Sequence, residues 1–201
     1  MSYTMLLILS YLLGAVPFGL IIGKAWRGVD IRRFGSGNIG ATNVYRTLGP
    51  GPGIVVFLAD VAKGLIPVLA AKHLASETAW LGVAAGMAAI LGHTLSIFLK
   101  LRGGKGVATS LGVGVGLVPV IALVAFGLWG LVFCVTRYVS VASVLACIAV
   151  PVLMWMTGSP LEYRVFGAVV AIYVTVKHRE NIVRLIHGTE NRFGKKSPSE
   201  G

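Results

Sequence analysis

Residues 107–136 read VATSLGVGVGLVPVIALVAFGLWGLVFCVT, without a single charged side chain. A transmembrane helix needs about 20 consecutive apolar residues. This run is therefore long enough to cross a bilayer, and it is too uniformly apolar for the surface of a soluble protein. Pro119 lies in its first half, directly after a glycine-rich segment. Because proline cannot extend the helical hydrogen-bond pattern, two interpretations fit: one tilted span, or a short span followed by a longer one.

Five further apolar runs account for most of the remaining chain. They cover residues 3–23, 52–71, 79–99, 140–157 and 163–176. Of the 201 residues, 56% are hydrophobic, 27 more are glycine and only 12% are charged, whereas soluble domains contain about 45–50% apolar residues with glycine included. This composition excludes a soluble fold and predicts an all-α polytopic membrane protein. The first run has no basic residue before it and no small-residue cleavage site after it, which predicts a retained span and not a signal peptide.

Lys and Arg residues decide the number of spans, because basic loops are retained on the cytoplasmic side of a membrane. They are concentrated in residues 24–46, 100–105 and 177–196. If the last two clusters share one side, an even number of spans separates them, and the 107–136 run divides near residues 117–119. About seven transmembrane helices result, with the amino terminus outside and the carboxyl terminus cytoplasmic. The fourth span is then shorter than a bilayer ordinarily requires.

The net charge of +11 restricts the partners that the chain can bind. The basic residues do not form the dense solvated patch that nucleic-acid binding requires, so we expect membrane lipid head groups or a phosphorylated substrate instead. Cys134 and Cys147 lie inside apolar runs and are expected to be small buried hydrophobic residues. We predict a single membrane domain over residues 1–193 and a polar tail over residues 194–201. No feature of the sequence points to a particular oligomeric state.

Three loop stretches at the predicted cytoplasmic side carry the candidate chemistry. The first is residues 35–46, GSGNIGATNVYR. Its glycines allow close backbone approach to a ligand, and its polar side chains suit an oxyanion. The candidate binding residues are Ser36, Gly37, Asn38, Thr42, Asn43 and Arg46. The glycine spacing also fits a dinucleotide fingerprint formally, but no strand precedes it. Taken alone, the stretch also fits a glycine-rich interfacial turn with helix caps.

The second stretch is residues 102–106, RGGKG, which leads directly into the long uncharged run. Glycines before a helix leave backbone N–H groups available at the positive end of the helix dipole, and Lys105 adds a mobile positive charge. We therefore predict a phosphate cradle that includes Gly103, Gly104 and Gly106. The stretch is not a Walker loop, because Gly106 stands where that motif has Ser or Thr. A basic turn that only sets topology explains this stretch equally well when it is taken alone.

The third stretch is residues 177–193, KHRENIVRLIHGTENRF. His178 and Asn181 are three residues apart and share one face of a helix that we expect at the membrane surface. His178 can act as a general base or as a hydrogen-bond donor to an anion, although a lone interfacial histidine is more often structural. Glu180 is interpreted as the ion-pair partner of an arginine, since an unpaired carboxylate repels anionic substrates.

Asp60 and Lys63 lie deep inside the second apolar run, where charged side chains are costly and mark function by default. A mutual ion pair satisfies both charges without catalysis, and so does a pairing of Asp60 with Arg46 or Lys105. We therefore expect a structural role. The sequence has no His-x4-Asp acyltransferase signature and no Ser-His-Asp or Cys-His arrangement. It also has no metal-ligand set, so neither a metal nor another cofactor is predicted.

Taken together, the three stretches resemble the motifs of the bacterial membrane glycerol-3-phosphate acyltransferases that use acyl phosphate. The resemblance rests on GSGNIGATNVYR, GHTLSIFLKLRGGKGVATS and KHRENIVRLIHGTENRF, in that order, and it extends to the DVAKG segment at residues 60–64. Members of that family are seven-span enzymes whose motifs face the cytoplasm, which agrees with the topology predicted from charge. Ser96 stands where the family pattern leads us to expect proline, and this departure predicts a looser end to the third span.

The resemblance implies transfer of a fatty acyl group from acyl phosphate to the sn-1 hydroxyl of glycerol 3-phosphate, giving lysophosphatidic acid and phosphate, the first step of phospholipid synthesis. It implies a multi-pass protein of the bacterial inner membrane with its active site on the cytoplasmic side. The catalytic residues that it implies are Ser36, Arg46, Lys105, His178 and Asn181. Both substrates carry phosphate, so we expect the three stretches to hold two anions in a common cationic pocket. The base is expected to be the phosphate of glycerol 3-phosphate, with the histidine as the alternative.

Two functions from other classes also account for cationic loops in a membrane protein. A transporter of a phosphorylated solute requires a polar path through the bilayer, for which Asp60 and Lys63 are the candidates. A non-catalytic lipid-binding scaffold predicts that Ser36 and Lys105 are replaceable. Formation of lysophosphatidic acid by the purified protein distinguishes the enzyme from both.

Overall fold

The computed structural model describes residues 2–75 and 79–194, and in these residues all regular structure is helical. The α-helices are α1 (Tyr3–Ala15), α2 (Phe18–Arg27), α3 (Ala41–Leu48), α4 (Pro50–Leu74), α5 (Ala79–Thr94), α6 (Val107–Leu117), α7 (Pro119–Thr136), α8 (Val139–Met156), α9 (Leu161–Lys177) and α10 (Arg179–Ile186). Two 3₁₀ turns cover Ile31–Arg33 and Ile97–Leu99. The all-α prediction is confirmed.

The chain forms two compact units, which divide between Pro119 and Val120. The first contains α1 to α6 with both 3₁₀ turns, and the second contains nearly all of α7 together with α8 to α10. The prediction of a single domain over residues 1–193 stays a prediction. Lys195 and Lys196, with the rest of the predicted tail beyond Gly194, lie outside the described residues.

Five helical stretches within residues 2–75 and 79–194 are long and apolar enough to cross a membrane. They cover Tyr3–Arg27, Pro50–Leu74, Ala79–Leu99, Pro119–Thr136 and Val139–Met156. Large apolar side chains are exposed along them, among them Val120 at 73% and Val135 at 74%. Contiguous apolar surface of this kind is unfavourable in water and is satisfied by lipid. The chain is therefore an all-helical polytopic membrane protein, as predicted.

Two of the apolar runs are interrupted at a proline. α6 ends at Leu117 and α7 begins at Pro119, which confirms the predicted division of the long uncharged run. The first run, predicted as a retained span, is one of the five spanning stretches, but its helix is interrupted: α1 ends at Ala15 and α2 begins only at Phe18. Pro17 lies between the two helices, lacks the N–H that a helix requires and disfavours helical backbone at the preceding residue.

The first unit is built on close helix pairs, α1 with α5 and α4 with α6. A Cβ at Gly64 of α4 would collide with the backbone carbonyl of Thr109, and one at Gly112 of α6 would collide with the carbonyl of Val61. Backbones in such contact associate by van der Waals packing, a main source of attraction between helices in lipid. The α4–α6 contact therefore fixes the start of α6, where residues 102–106 end.

Aromatic packing holds the second unit together, in addition to the contact of α8 with α9. Three rings of α7 stack in a row, with centroids 5.9 Å apart for Phe126–Trp129 and 5.2 Å apart for Trp129–Phe133. Trp129 Nε1 also donates a hydrogen bond to Ser143 Oγ of α8 at 3.1 Å. Phe193 packs edge-on against Phe133, so the chain that follows α10 is held against α7.

Candidate active site

The first stretch, residues 35–46, is half loop and half helix. Residues 35–40 are irregular, but α3 begins at Ala41, so the prediction of a loop is wrong for the second half. The N-cap position is a glycine, and within the described chain no side chain caps α3. The first N–H groups of this helix therefore keep their capacity to bind an anion. Thr42 and Arg46 are both half-buried and lie one turn apart on the same face.

Asn43 organises this loop. Its side chain is buried, with the residue 1% exposed, and its Nδ2 donates to the carbonyls of Ile31 at 2.9 Å, Phe34 at 3.1 Å and Asn38 at 2.8 Å. Its Oδ1 accepts a hydrogen bond from the backbone N–H of Ser36 at 2.8 Å. All these bonds go to the loop itself. Asn43, predicted to bind substrate, is thus the residue that shapes the loop.

Backbone N–H groups of the loop are also used internally. The N–H of Gly37 donates to the Phe34 carbonyl at 3.0 Å, and the N–H of Gly40 donates to Asn38 Oδ1 at 2.8 Å. These groups close the turn, and substrate binding by Gly37 and Asn38 stays a prediction. The group that the loop presents outward is the side chain of Ser36, which is exposed.

The second stretch, residues 102–106, is attached to the end of α5. The N–H of Gly103 donates to the Thr94 carbonyl at 3.2 Å, and the N–H of Gly104 donates to the His93 carbonyl at 3.0 Å. A Cβ at Gly104 would collide with the imidazole Nε2 of His93, so the backbone and the ring are in direct contact. These two hydrogen bonds anchor the stretch to α5, and a role of Gly103 and Gly104 in binding phosphate stays a prediction.

The donors suited to phosphate in this stretch lie at the start of α6. Gly106 is the N-cap residue, with a φ of +88° that glycine adopts without strain. Among the described residues, no side chain caps α6, so its first N–H groups can bind an anion at the positive end of the helix dipole. Lys105 directly precedes this end and is half-buried. Gly106 and Lys105 therefore have the geometry of the predicted cradle.

His178 forms the junction between α9 and α10, and the predicted helix after it is confirmed. The residue is 3% exposed, and its Nδ1 lies 2.8 Å from the Val174 carbonyl. Because a carbonyl oxygen only accepts, Nδ1 carries a hydrogen, so any further proton transfer at this ring takes place at Nε2. Asn181, one turn further along, is 6% exposed. Both side chains are thus held in buried positions, and neither is on a freely moving loop.

Glu190 holds the third stretch together, although the sequence analysis assigns it no role. Its Oε1 accepts from Asn181 Nδ2 at 2.6 Å and from Ser140 Oγ at 2.9 Å, and its Oε2 accepts from Arg184 Nε at 2.8 Å. Burial opposes ionisation of this carboxyl, but the three hydrogen bonds outweigh burial and lower its pKa. The sequence feature that could have indicated Glu190 is the scarcity of acidic residues, since the chain has only 7. Glu180, in contrast, is exposed beside an arginine, as predicted.

The buried charges of α4 form a mutual ion pair, one of the predicted arrangements. Lys63 Nζ lies 2.7 Å from Asp60 Oδ1, and the two side chains are 1% and 3% exposed. Lys63 Nζ also donates to the Val16 carbonyl at 3.0 Å. The two candidates for a polar transport path therefore neutralise each other inside the first unit.

The end of the third span is held firmly, and the prediction that Ser96 loosens it is wrong. α5 ends at Thr94, and the second 3₁₀ turn follows. Ser96 is fully buried, and its Oγ donates to the Ala15 carbonyl at 2.6 Å. Its φ is −64°, the value that a proline ring would fix. Ser96 therefore keeps the backbone conformation of the expected proline and adds a hydrogen bond.

Residues 2–75 and 79–194 contain no group of three His, Cys, Asp or Glu side chains that could hold a metal ion. Cys147 is half-buried, whereas Cys134 is exposed on the apolar surface of α7. The expectation of burial is therefore wrong for Cys134, because the apolar environment of this helix is outside the protein fold and not in its core.

Apolar helices of spanning length define the class: an integral membrane protein. Residues 4–188 match the family described as glycerol-3-phosphate acyltransferase. The chain belongs to this family and is an acyltransferase, as the resemblance of the three stretches implies.

Relatives and solved structures agree over nearly the whole chain. A glycerol-3-phosphate acyltransferase of Geotalea daltonii is 49% identical over 192 residues, which are 96% of this chain and 98% of the relative. One from Synechococcus sp. strain JA-2-3B'a(2-13) is 48% identical over 93% of this chain and 92% of its own length. The glycerol 3-phosphate form of PlsY, an integral membrane glycerol 3-phosphate acyltransferase, is 43% identical with a TM-score of 0.93, covering 96% of both chains. Its lysophosphatidic acid form has a TM-score of 0.90 at 42% identity and the same coverage.

Proposed function

We propose that this glycerol-3-phosphate acyltransferase takes its acyl group from acyl phosphate and transfers it to the sn-1 hydroxyl of glycerol 3-phosphate. The observation that carries the proposal is that α3 and α6 both begin at a glycine without a side-chain cap, with Arg46 on the first helix and Lys105 directly before the second. Two such helix ends suit two substrates that each carry a phosphate group. The two solved PlsY structures are a glycerol 3-phosphate form and a lysophosphatidic acid form, which correspond to the proposed acceptor and product.

The side chains of the first unit have distinct roles in this proposal. Arg46 binds one phosphate through its planar guanidinium, which can donate two parallel hydrogen bonds. Lys105 and the N–H groups at the start of α6 bind the other phosphate. The hydroxyl groups of Ser36 and Thr42 orient substrate oxygens. Gly103 and Gly104 contribute by fixing the backbone before Lys105, as their bonds to the end of α5 indicate.

In the second unit, Asn181 orients a substrate oxygen from the position that Glu190 gives it. His178 donates a hydrogen bond to an anion or accepts one through Nε2. That the three stretches act on the same pair of substrates stays a prediction, and variants in all three stretches are needed to test it.

Acyl phosphate is a mixed anhydride, so the reaction mainly requires positioning and charge stabilisation. The sn-1 hydroxyl oxygen forms a bond to the acyl carbon, and the bond between that carbon and the phosphate oxygen breaks, which releases inorganic phosphate. We propose that the proton of the hydroxyl passes to the phosphate of glycerol 3-phosphate, whose second pKa is near ~6 as in other phosphate monoesters. No covalent enzyme intermediate is required in this scheme.

We infer seven spans, formed by the five long apolar stretches with α6 and α9 in addition. The amino terminus is outside, and the carboxyl terminus and the active site are cytoplasmic in a bacterial inner membrane. Support comes from the clusters of Lys and Arg, which the positive-inside rule assigns to one side. α6, with 11 residues, is short for a bilayer, but it packs against α4 along its length. The acyl chain enters laterally between helices that are rich in small residues.

The proposed activity is tested with purified protein in lipid, supplied with acyl phosphate and glycerol 3-phosphate. We expect release of phosphate and formation of lysophosphatidic acid without any other protein. Lys105→Met and Arg46→Met are each expected to lower kcat/KM by about a hundredfold or more. Lys72→Met is the matched control, because Lys72 is exposed on α4 outside the three stretches. Sealed vesicles that accumulate glycerol 3-phosphate without product formation would contradict the proposal.

The identity of the base is tested by the pH dependence of His178→Ala. If the substrate phosphate accepts the proton, the variant is slower but its remaining rate follows the same pH profile as the wild-type rate. Loss of one entire titrating limb in the variant would assign the base to His178 instead.

A further inference from the structure

We propose that Asp60, Lys63 and His93 are positioning residues for the acyl transfer. They fix, from within the transmembrane part of the first unit, the two backbone segments that present Ser36 and Lys105. This inference rests on the proposed function, because those two segments matter for their phosphate-handling groups. None of the three positioning residues was assigned a role in catalysis by the sequence analysis.

Lys63 connects the ion pair to the break between α1 and α2. Pro17 interrupts the helical pattern there and leaves carbonyls without helical donors. Lys63 Nζ donates to one of them, the Val16 carbonyl, at 3.0 Å. The same ammonium lies 5.5 Å from the centroid of the Phe18 ring, and α2 begins at Phe18. A side chain of α4 therefore fixes the point from which α2 starts.

The position of α2 in turn determines the loop that presents Ser36. A Cβ at Gly19 of α2 would collide with the Ile39 carbonyl, and Ile31 is fully buried against residues of the same helix. The carbonyl of Ile31 is an acceptor for Asn43, the organiser of the loop. Because backbone packs on backbone here, a displacement of α2 is transmitted to the loop without a flexible side chain between them.

Asp60 connects the same pair to the second segment. Its Oδ1, which binds Lys63, lies 3.7 Å from His93 Nδ1. On the other edge of the ring, His93 Nε2 is in direct contact with the backbone of Gly104, and the His93 carbonyl accepts the N–H of that glycine at 3.0 Å. Lys105 is the next residue. One carboxylate oxygen therefore contacts both the lysine that holds α2 and the histidine that supports the phosphate segment.

The stability of the fold does not by itself explain the buried Asp60–Lys63 ion pair. Removing two charges from water offsets most of their attraction, and apolar side chains of similar volume often stabilise a protein as well or better. Charges within a membrane segment are therefore a sign of function. In this molecule the ion pair fixes the distance between the segment that presents Ser36 and the segment that presents Lys105. An apolar contact would specify that distance less precisely.

The decisive variant is the double substitution D60N/K63M, which removes both charges together. We expect its thermal stability in lipid to be close to that of the wild type. We expect its KM for at least one substrate to rise and its kcat to fall, with kcat/KM lowered by about tenfold to a hundredfold. The single variant K63M leaves the carboxylate without its partner and is expected to lose stability in addition. Lys72→Met, the same substitution at an exposed position of α4, is expected to match the wild type.

A purely structural role gives a different result, because a smaller folded fraction lowers the apparent kcat but leaves both KM values unchanged. That result, or wild-type kinetics in the double variant, would overturn the inference. If the double variant does not fold, His93→Phe keeps an aromatic ring, somewhat larger than imidazole, and removes both ring nitrogens. It is expected to raise a KM while retaining stability, and unchanged KM values would again overturn the inference. Failure of the proposed function is seen separately, as a wild-type protein that forms no lysophosphatidic acid.

Discussion

Two segments of the molecule are each organised by one buried polar side chain, and the two side chains differ in charge. Asn43 gathers three backbone carbonyls in the first stretch, whereas Glu190 gathers an amide, a hydroxyl and a guanidinium in the third. Carbonyl oxygens only accept, so the first organiser must donate. Amide, hydroxyl and guanidinium groups donate, so the second must accept.

Asn43 and Glu190 differ in their response to pH. A carboxamide does not titrate, so the conformation of residues 36–43 is expected to be insensitive to pH. A carboxylate titrates, and the hydrogen bonds to Glu190 lower its pKa. One enzyme thus contains a pH-independent and a pH-dependent organiser.

The largest effect is expected for Asn43→Ala. The substitution leaves three carbonyls without their donor and the Ser36 N–H without its acceptor, at a cost of about 2–4 kcal/mol in the free energy of unfolding. A disordered loop would misplace Ser36, so kcat/KM is expected to fall by about a hundredfold. Thr47→Val on the same helix is the matched control, because the Thr47 hydroxyl is buried without a hydrogen-bond partner within the described residues. Wild-type kinetics of Asn43→Ala would show that the loop does not depend on this side chain.

A smaller effect is expected for Glu190→Gln. Glutamine can still accept from Asn181 and Ser140, but it loses the charge that Arg184 binds and adds a donor where a donor already points. We expect kcat/KM to fall by about tenfold and stability by about 1–2 kcal/mol. The control is Glu180→Gln, the same substitution at an exposed position of α10. Equal effects of the two substitutions would contradict an organising role for Glu190.

The pH dependence is expected to be local. Because the folded-state pKa of Glu190 is lowered, its contribution to stability is complete above the ordinary glutamate pKa of about 4.3. It is lost as the pH falls below that value and through the lowered one. Amide hydrogen exchange, corrected for the intrinsic rate, should therefore accelerate in residues 178–190 on acidification but not in residues 36–43. The variant Glu190→Gln should abolish this difference, and acceleration that is uniform in wild type and variant would contradict the assignment.

The smallest effect is expected from a metal chelator. Both organisers bind protein groups and neither requires a cation, so the rate of lysophosphatidic acid formation should be unchanged in excess chelator. A loss of activity that added magnesium restores would show that a metal ion contributes to binding the phosphates.

Much of the fold follows from local properties of the sequence. The apolar runs predict the long helices because hydrophobicity over about 20 residues decides membrane insertion. Pro119 predicts the division between α6 and α7 because proline has no N–H to extend the helical hydrogen-bond pattern. The same rule applied to Pro17 would have predicted the break after α1. Pro67 and Pro151 lie within α4 and α8, so proline alone does not determine a break.

The local geometry of the candidate site was less predictable than the fold, and the roles of its glycines and cations stay predictions. Glycine content indicates that a backbone can approach a ligand closely, but it does not indicate which N–H groups are already used. Gly103 and Gly104 donate to the end of α5, and no local pattern encodes that contact. Ser96 was judged by its difference from an expected proline, whereas its effect depends on the Ala15 carbonyl, which is 81 positions away in the chain.

The membrane class, the helical runs and the placement of cations in three stretches are predictable from local sequence, because hydrophobicity, charge and proline act over a few neighbouring residues. Tertiary structure alone decided the partners of Asn43, Glu190 and the Asp60–Lys63 pair. A hydrogen bond or ion pair depends on the distance between two groups, and for residues far apart in the chain that distance is set only when the helices pack.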